Sequence, residues 1–353
     1  MNKSSATIND WGNMIPRRSA VKHVPVWQSE MARAITDPQE LLRLLALDPA
    51  LVSEGAARDF PLKVPRSFLT RMRKRDPNDP LLRQVLPITA EVLPQGGYQK
   101  DPLEELAAMP VDGLLHKYQG RALLTITGAC GIHCRYCFRR HFPYAETNPS
   151  RDQWHAALEY LRRHSEISEV LLSGGDPLSM NDRRLSDLVS RLEKISHIKR
   201  LRIHTRLAVV LPARIDEQLL RWLSATSLQT VIVVHVNHPN EINHEVIQAM
   251  NKLRLANVLL LNQSVLLRGI NDTAKILAEL SERLFEANVL PYYLHQLDRV
   301  QGAAHFEVDD HRALEIMAEL RAMLPGYLVP RLCREEPGAP GKTIICNSRD
   351  STS

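Results

Sequence analysis

Hydrophobic and polar positions change their rhythm along this chain near residue 120. Residues 1–119 hold many prolines and short amphipathic stretches. One of these is Asp37-Pro-Gln-Glu-Leu-Leu-Arg-Leu-Leu-Ala46, in which Asp37 suits a helix cap and Pro38 the first helical position. This part reads as a helical N-terminal extension. From Arg121 onward, apolar β-rich runs alternate with helix-period segments. The runs fall at 121–127, 168–172, 199–204, 229–236, 257–263 and 288–295, with helical patterns at 154–163, 182–195, 216–224, 241–256 and 273–287. Such alternation predicts an α/β fold with a parallel sheet. Six units fall short of the eight that close a full barrel. The six βα units occupy 120–325, between the extension (1–119) and a C-terminal segment (326–353).

Composition agrees with a globular enzyme: 353 residues, 44% hydrophobic and 24% charged, supply ample core. The net charge of +5 is spread among acidic residues. The densest basic stretch, Arg71-Met-Arg-Lys-Arg75, is read as a solvated helix face instead of a site for an acidic macromolecule. Met1 to Asp10 lacks the apolar segment of a secretory signal, and no run approaches the roughly 18 apolar residues of a membrane span. Five cysteines, odd in number and clustered, argue against a disulfide framework. A cytoplasmic location without membrane or nucleic-acid partners is expected.

The cysteines carry the strongest chemical signal. Cys130-Gly-Ile-His-Cys134-Arg-Tyr-Cys137 directly follows the first strand run. A [4Fe–4S] cluster normally takes four cysteine thiolates, so a triplet leaves one iron open to an outside ligand. A structural zinc site of Cys₃His type is the alternative, because His133 and His141 lie close by. Zinc modules usually carry a second ligand pair, however, and Cys333 and Cys346 are distant singles. After the second run comes Ser173-Gly-Gly-Asp-Pro177, whose Gly174 and Gly175 allow close backbone approach. His204, His235 and Gln263 stand at the ends of later runs. Near the C-terminus, Glu335-Glu-Pro-Gly-Ala-Pro-Gly-Lys342 ends a Gly/Pro turn in a lysine whose amine can form a Schiff base with pyridoxal phosphate (PLP). Gly338 is only four residues before Lys342, which excludes a P-loop.

The CxxxCxxC spacing resembles the radical S-adenosylmethionine (SAM) enzymes, and the six units match their three-quarter TIM-like barrel. More specifically, the segments from Cys130 to Tyr144, Asp76 to Val85, His116-Lys-Tyr118, Ser173 to Pro177, Asn262 to Arg268 and Pro291-Tyr-Tyr-Leu294 resemble lysine 2,3-aminomutases over roughly 30–345. Within that family the likeness is greatest to the enzymes that make β-lysine for elongation factor P.

The resemblance implies a set of roles. Cys130, Cys134 and Cys137 would bind a [4Fe–4S] cluster, and Ser173, Gly174, Gly175, Asp176, His235 and Gln263 would contact SAM. Lys342 would hold PLP, with Lys117 and Arg121 at its phosphate. Arg139 would meet the α-carboxylate of an L-lysine substrate through its bidentate fork. Asp298 and Glu335 would meet the ε-ammonium, each attraction being worth about 4 kcal/mol at about 4 Å and an effective dielectric near 20. The expected product is (R)-β-lysine. The expected partners are a reductant such as flavodoxin or ferredoxin, elongation factor P and its lysyl ligase, with a homo-oligomer compatible. Three departures from the clostridial-type pattern stand out: Glu335 replaces an aspartate, Thr273 replaces a zinc-binding cysteine so that no zinc is expected, and Ala339 and Pro340 interrupt the glycine run before Lys342. The alternatives are a PLP-independent radical SAM enzyme, a mutase of another amino acid, and a zinc module acting on nucleic acid.

Overall fold

The computed structural model describes residues 24–144 and 154–346; Met1 to Asp10, on which the expectation about a signal segment rests, lie outside these. Nine strands form one sheet in sequential order: β1 (Leu114–Tyr118), β2 (Arg121–Thr127), β3 (Glu169–Gly174), β4 (Arg200–Thr205), β5 (Gln229–His235), β6 (Leu259–Val265), β7 (Leu290–His295), β8 (Arg331–Arg334) and β9 (Thr343–Ile344). Strands β2 to β8 are parallel neighbours. The two outer pairs, β1 with β2 and β8 with β9, are antiparallel. The six strands expected from periodicity are β2 to β7. The other three extend the sheet at both edges, β8 as a seventh parallel strand.

Between the strands run α1 (Trp154–Arg163), α2 (Asp182–Leu192), α3 (Glu217–Ala225), α4 (His244–Leu255), α5 (Ala274–Glu286) and α6 (Asp310–Met323). Each of the last five starts at a polar cap. Asn181, Asp216, Asn243, Thr273 and Asp309 accept a hydrogen bond from the backbone N–H three residues on, which satisfies a donor that the first turn leaves unpaired. Thr273, noted for replacing a cysteine, serves here as the cap of α5.

From Val24 on, the chain before the barrel holds short helices including Val26–Ala32, Pro38–Leu45 and Arg66–Leu69, and its last stretch forms β1. Trp27, Leu41, Leu42, Leu45 and Phe68 share one hydrophobic cluster with the barrel residues Leu172, Ile203 and Val234. The basic stretch at 71–75 is not a helix face. It lies in turns after Leu69, and the partly buried Arg71 guanidinium donates to the Val209 carbonyl (2.8 Å) and to the Glu241 carbonyl. Burial lowers its pKa to about 10. Arg71 thus ties the extension to the barrel, while Arg73, Lys74 and Arg75 remain exposed. No helix among the described residues is long and apolar enough to cross a membrane.

Candidate active site

The lumen of the partial barrel is a cavity of about 430 Å³, and every site residue singled out in the sequence lines it. The cysteines follow the end of β2, whereas Arg121 opens the same strand. Seven residues at about 3.3 Å each separate the two ends by roughly 20 Å, so the cavity runs the depth of the sheet. Cys130, Cys134 and Cys137 lie near the C-terminal strand ends with Ser173 to Asp176, His235 and Gln263. Asp298 follows β7, Glu335 follows β8 directly and Lys342 precedes β9 directly, while Lys117 and Arg121 come from the β1–β2 hairpin.

The turn after β3 packs against the cysteine loop. The Gly175 N–H donates to the Thr127 carbonyl (2.6 Å) and the Asp176 N–H to the Ala129 carbonyl (2.8 Å). A Cβ at Gly174, where φ is +123°, would lie 2.4 Å from Thr127 O, and one at Gly175 2.4 Å from Ala129 O. Only glycine allows this backbone contact. The close approach read from the sequence is thus to the loop itself. Asp176 is also committed to the protein: its carboxylate accepts from Thr205 Oγ1 (2.8 Å), Arg206 N (2.7 Å) and Leu207 N (2.8 Å). It fixes the end of β4 against the loop.

Further anchors come from the extension. Lys63 Nζ donates to the Cys130 carbonyl (2.8 Å), and Arg135, buried between two of the cysteines, pairs with buried Glu91. Burial, and then Cys134, push the Cys137 thiol up to about 11, and Cys130 is raised for the same first reason. A bound cationic group would reverse that logic. Among the described residues no three His, Cys, Asp or Glu side chains are arranged to hold a single metal ion. His133 and His141 turn instead to the carbonyls of Pro61 (2.8 Å) and Gln301 (3.3 Å). Three sulfurs on one wall without a common focus fit a cubane, which takes one thiolate at each of three irons.

Deeper in the cavity, charges alternate in a chain. Lys342 Nζ contacts Glu335 (2.8 Å), Glu335 contacts Lys117 (3.4 Å), Lys117 lies 3.7 Å from Glu105, and Glu105 clasps Arg139 at 2.6 and 2.8 Å. Burial pushes the Glu335 carboxyl up, but Lys342 and Lys117 override it and hold it near about 2. Asp298 is treated oppositely: burial, and then the Glu335 charge, lift it to about 7. Its carboxylate has no hydrogen-bond donor among the described residues and faces the cavity. Arg121 has no carboxylate partner among the described residues and stacks on Tyr118 at 4.5 Å. That leaves a cation open to a phosphate, and Lys342 Nζ stands 5.8 Å from the Tyr293 ring centroid. An amine, a ring to pack against and an uncommitted guanidinium suit PLP.

Among the remaining candidates, His235 donates or accepts at Nε2 with Tyr136 Oη (2.9 Å), and burial followed by Arg206 lowers its pKa to about 3. Gln263 is its register partner on β6. His204 lines the same lumen. Sequence reasoning missed Glu105 and Arg206. Glu105 lies in the irregular segment before β1, where nothing in the local pattern distinguishes it from a surface acid. Arg206 carried a signal, since it directly follows a strand end.

The comparisons with known proteins agree with this geometry. Residues 124–280 match the model of the radical SAM superfamily. The chain is 53% identical to the L-lysine 2,3-aminomutase of Escherichia coli (strain K12), over 90% of this chain and 94% of that one. It is 47% identical to that of Haemophilus influenzae, covering 94% and 98%, and 36% identical to that of Clostridium subterminale, covering 90% and 77%. A cysteine triplet, a lumen lysine and an identity of this size over nearly the whole length leave one conclusion: the chain belongs to the L-lysine 2,3-aminomutase family of the radical SAM superfamily.

Proposed function

We propose that this protein converts L-lysine to β-lysine with a [4Fe–4S] cluster, SAM and PLP. The observation that carries the reading is the shared lumen, in which three cysteines, a lysine amine and two carboxylates suited to a cationic side chain line the same cavity. A side-chain base cannot remove a β C–H proton of an amino acid at a useful rate, because the acid is too weak. When bound, the cofactors supply what side chains lack: a one-electron route to a carbon radical from the cluster and SAM, and an electron sink for the migrating amino group from PLP.

The chain's own residues bind and orient. Cys130, Cys134 and Cys137 would hold the cluster, and His235, Gln263, Ser173, Gly174 and Gly175 would contact SAM. Asp176 keeps that turn in place. Lys342 provides the amine for PLP, with Arg121 and Lys117 at the phosphate. Arg139 receives the substrate carboxylate on its guanidinium, which Glu105 otherwise occupies. Asp298 meets the ε-ammonium, joined by Glu335 once Lys342 and Lys117 are engaged elsewhere.

The finer reading, supported by the sequence likeness to the enzymes of elongation factor P modification, is that the product is (R)-β-lysine, passed to that protein's ligase, with flavodoxin or ferredoxin as reductant. The test is anaerobic incubation with SAM, PLP, dithionite and L-lysine, followed by chiral chromatography. β-Lysine should form, and its formation should drop at least 10³-fold in Cys134→Ala and Lys342→Ala variants. Cleavage of SAM with lysine left intact would sink the substrate assignment.

A further inference from the structure

Behind the cysteine loop lies a buried arginine for which the reaction as derived so far has no use. Arg206 is 7% exposed. Its Nη1 donates to the Cys134 sulfur (2.6 Å) and to Tyr136 Oη (2.6 Å), and its Nη2 donates to Gln84 Oε1 (2.7 Å) and Glu241 Oε2 (3.0 Å). The network is rigid from both sides. Asp176 accepts from the Arg206 backbone N–H, and Glu241 accepts from Asn237 N (2.9 Å) and Gln84 Nε2 (3.2 Å). The guanidinium plane stands over the rings of Phe68 and Tyr136, at 5.6 Å from each centroid. Neither of the other two cysteines has such a partner: Lys63 reaches only the carbonyl of Cys130, and Cys137 takes the backbone N–H of Arg139.

We propose that Arg206 is a positioning residue for the cluster: it fixes the Cys134 side chain and donates a charged hydrogen bond to that sulfur, favouring the reduced cluster over the oxidised one. Reduction by one electron from an external donor adds one negative charge to the cluster and its thiolates. A buried cation touching a ligand sulfur stabilises the more negative state more strongly, and hydrogen bonds to the sulfurs are among the factors that set cluster potentials. Glu241 balances the guanidinium charge, but on Nη2, the arm turned away from the sulfur. The balance is therefore uneven where the cluster would sit. This inference rests on the cofactor reading of the three cysteines.

The experiment is a potentiometric titration of the reconstituted cluster, followed by electron paramagnetic resonance without SAM, in wild type, Arg206→Met and Arg206→Lys. Loss of the contact in Arg206→Met should make reduction at least tenfold less favourable, a midpoint more negative by about 59 mV for one electron. Arg206→Lys should fall between, because an ammonium keeps the charge but cannot span both acceptors. Wild-type midpoints in variants carrying a full complement of iron would overturn the proposal. A second measurement needs no variant: in reduced wild type labelled with [15N]arginine, electron–nuclear double resonance should detect a 15N coupling to the cluster. Its absence would also overturn the proposal. A wild-type protein that takes up no iron–sulfur cluster would instead sink the cofactor reading itself.

Discussion

Asp298 makes the most direct test at the scale of one residue. Its carboxyl, lifted to about 7 by burial and then by Glu335, is a mixture of acid and carboxylate at neutral pH. Only the carboxylate attracts an ammonium. Affinity for L-lysine should therefore rise with pH, and KM should fall roughly tenfold between pH 6 and pH 8, the ratio of ionised fractions one unit either side of the pKa. Asp298→Asn should raise KM at pH 8 and flatten the dependence. A wild-type KM that is constant over that range would separate Asp298 from the substrate. The cysteines and Lys342 were legible in the sequence because each sits in a short local motif. Glu105 was not, and Arg206 showed only its place after a strand end, because their significance arises from partners distant in sequence: Arg139 is 34 residues from Glu105, and Cys134 is 72 residues from Arg206.

Among the elements, the turn after β3 is a brace for the cysteine loop. In Gly175→Ala the new methyl would meet Ala129 O at 2.4 Å and the Gly128 carbonyl carbon at 2.7 Å. Relief of that overlap should cost about 1–3 kcal/mol and shift the loop that carries Cys130. Thermal unfolding and iron content per chain both check this, and an unchanged Tm with full iron would show that the brace is dispensable. The repeated strands and helices were readable because each is a buried apolar run bounded by a polar cap, and β2 to β7 all lie within two residues of the expected bounds. The edge strands were not. β1 and β8 have five and four residues, β9 has two, and none is long enough to display a period. The hairpin from β1 to β2 did leave a trace in Gly120, whose φ of +77° lies where residues with a side chain are uncommon.

At the scale of the whole molecule, the extension and the barrel meet through buried charge. Arg135 and Arg140 of the cysteine loop both reach Glu91, with side-chain exposures of 0%, 0% and 1%. Glu91→Ala would leave the buried Arg135 guanidinium without a carboxylate and Arg140 with Asp59 alone (3.2 Å), and should cost about 3–5 kcal/mol, measurable by urea unfolding. A loss below about 1 kcal/mol would mean that the extension is not what steadies the loop. The opposite edge of the sheet is built more lightly. Lys342 stands one residue before β9, which joins β8 through two residue pairs, Cys333 with Ile344 and Arg334 with Thr343. The cysteine wall, by contrast, is set among strands paired on both sides. A chain cut just before Lys342 would lose the amine but none of the parallel strands, so ignition and rearrangement come apart at a single seam: the shortened protein should still consume SAM while leaving the amino acid as it found it.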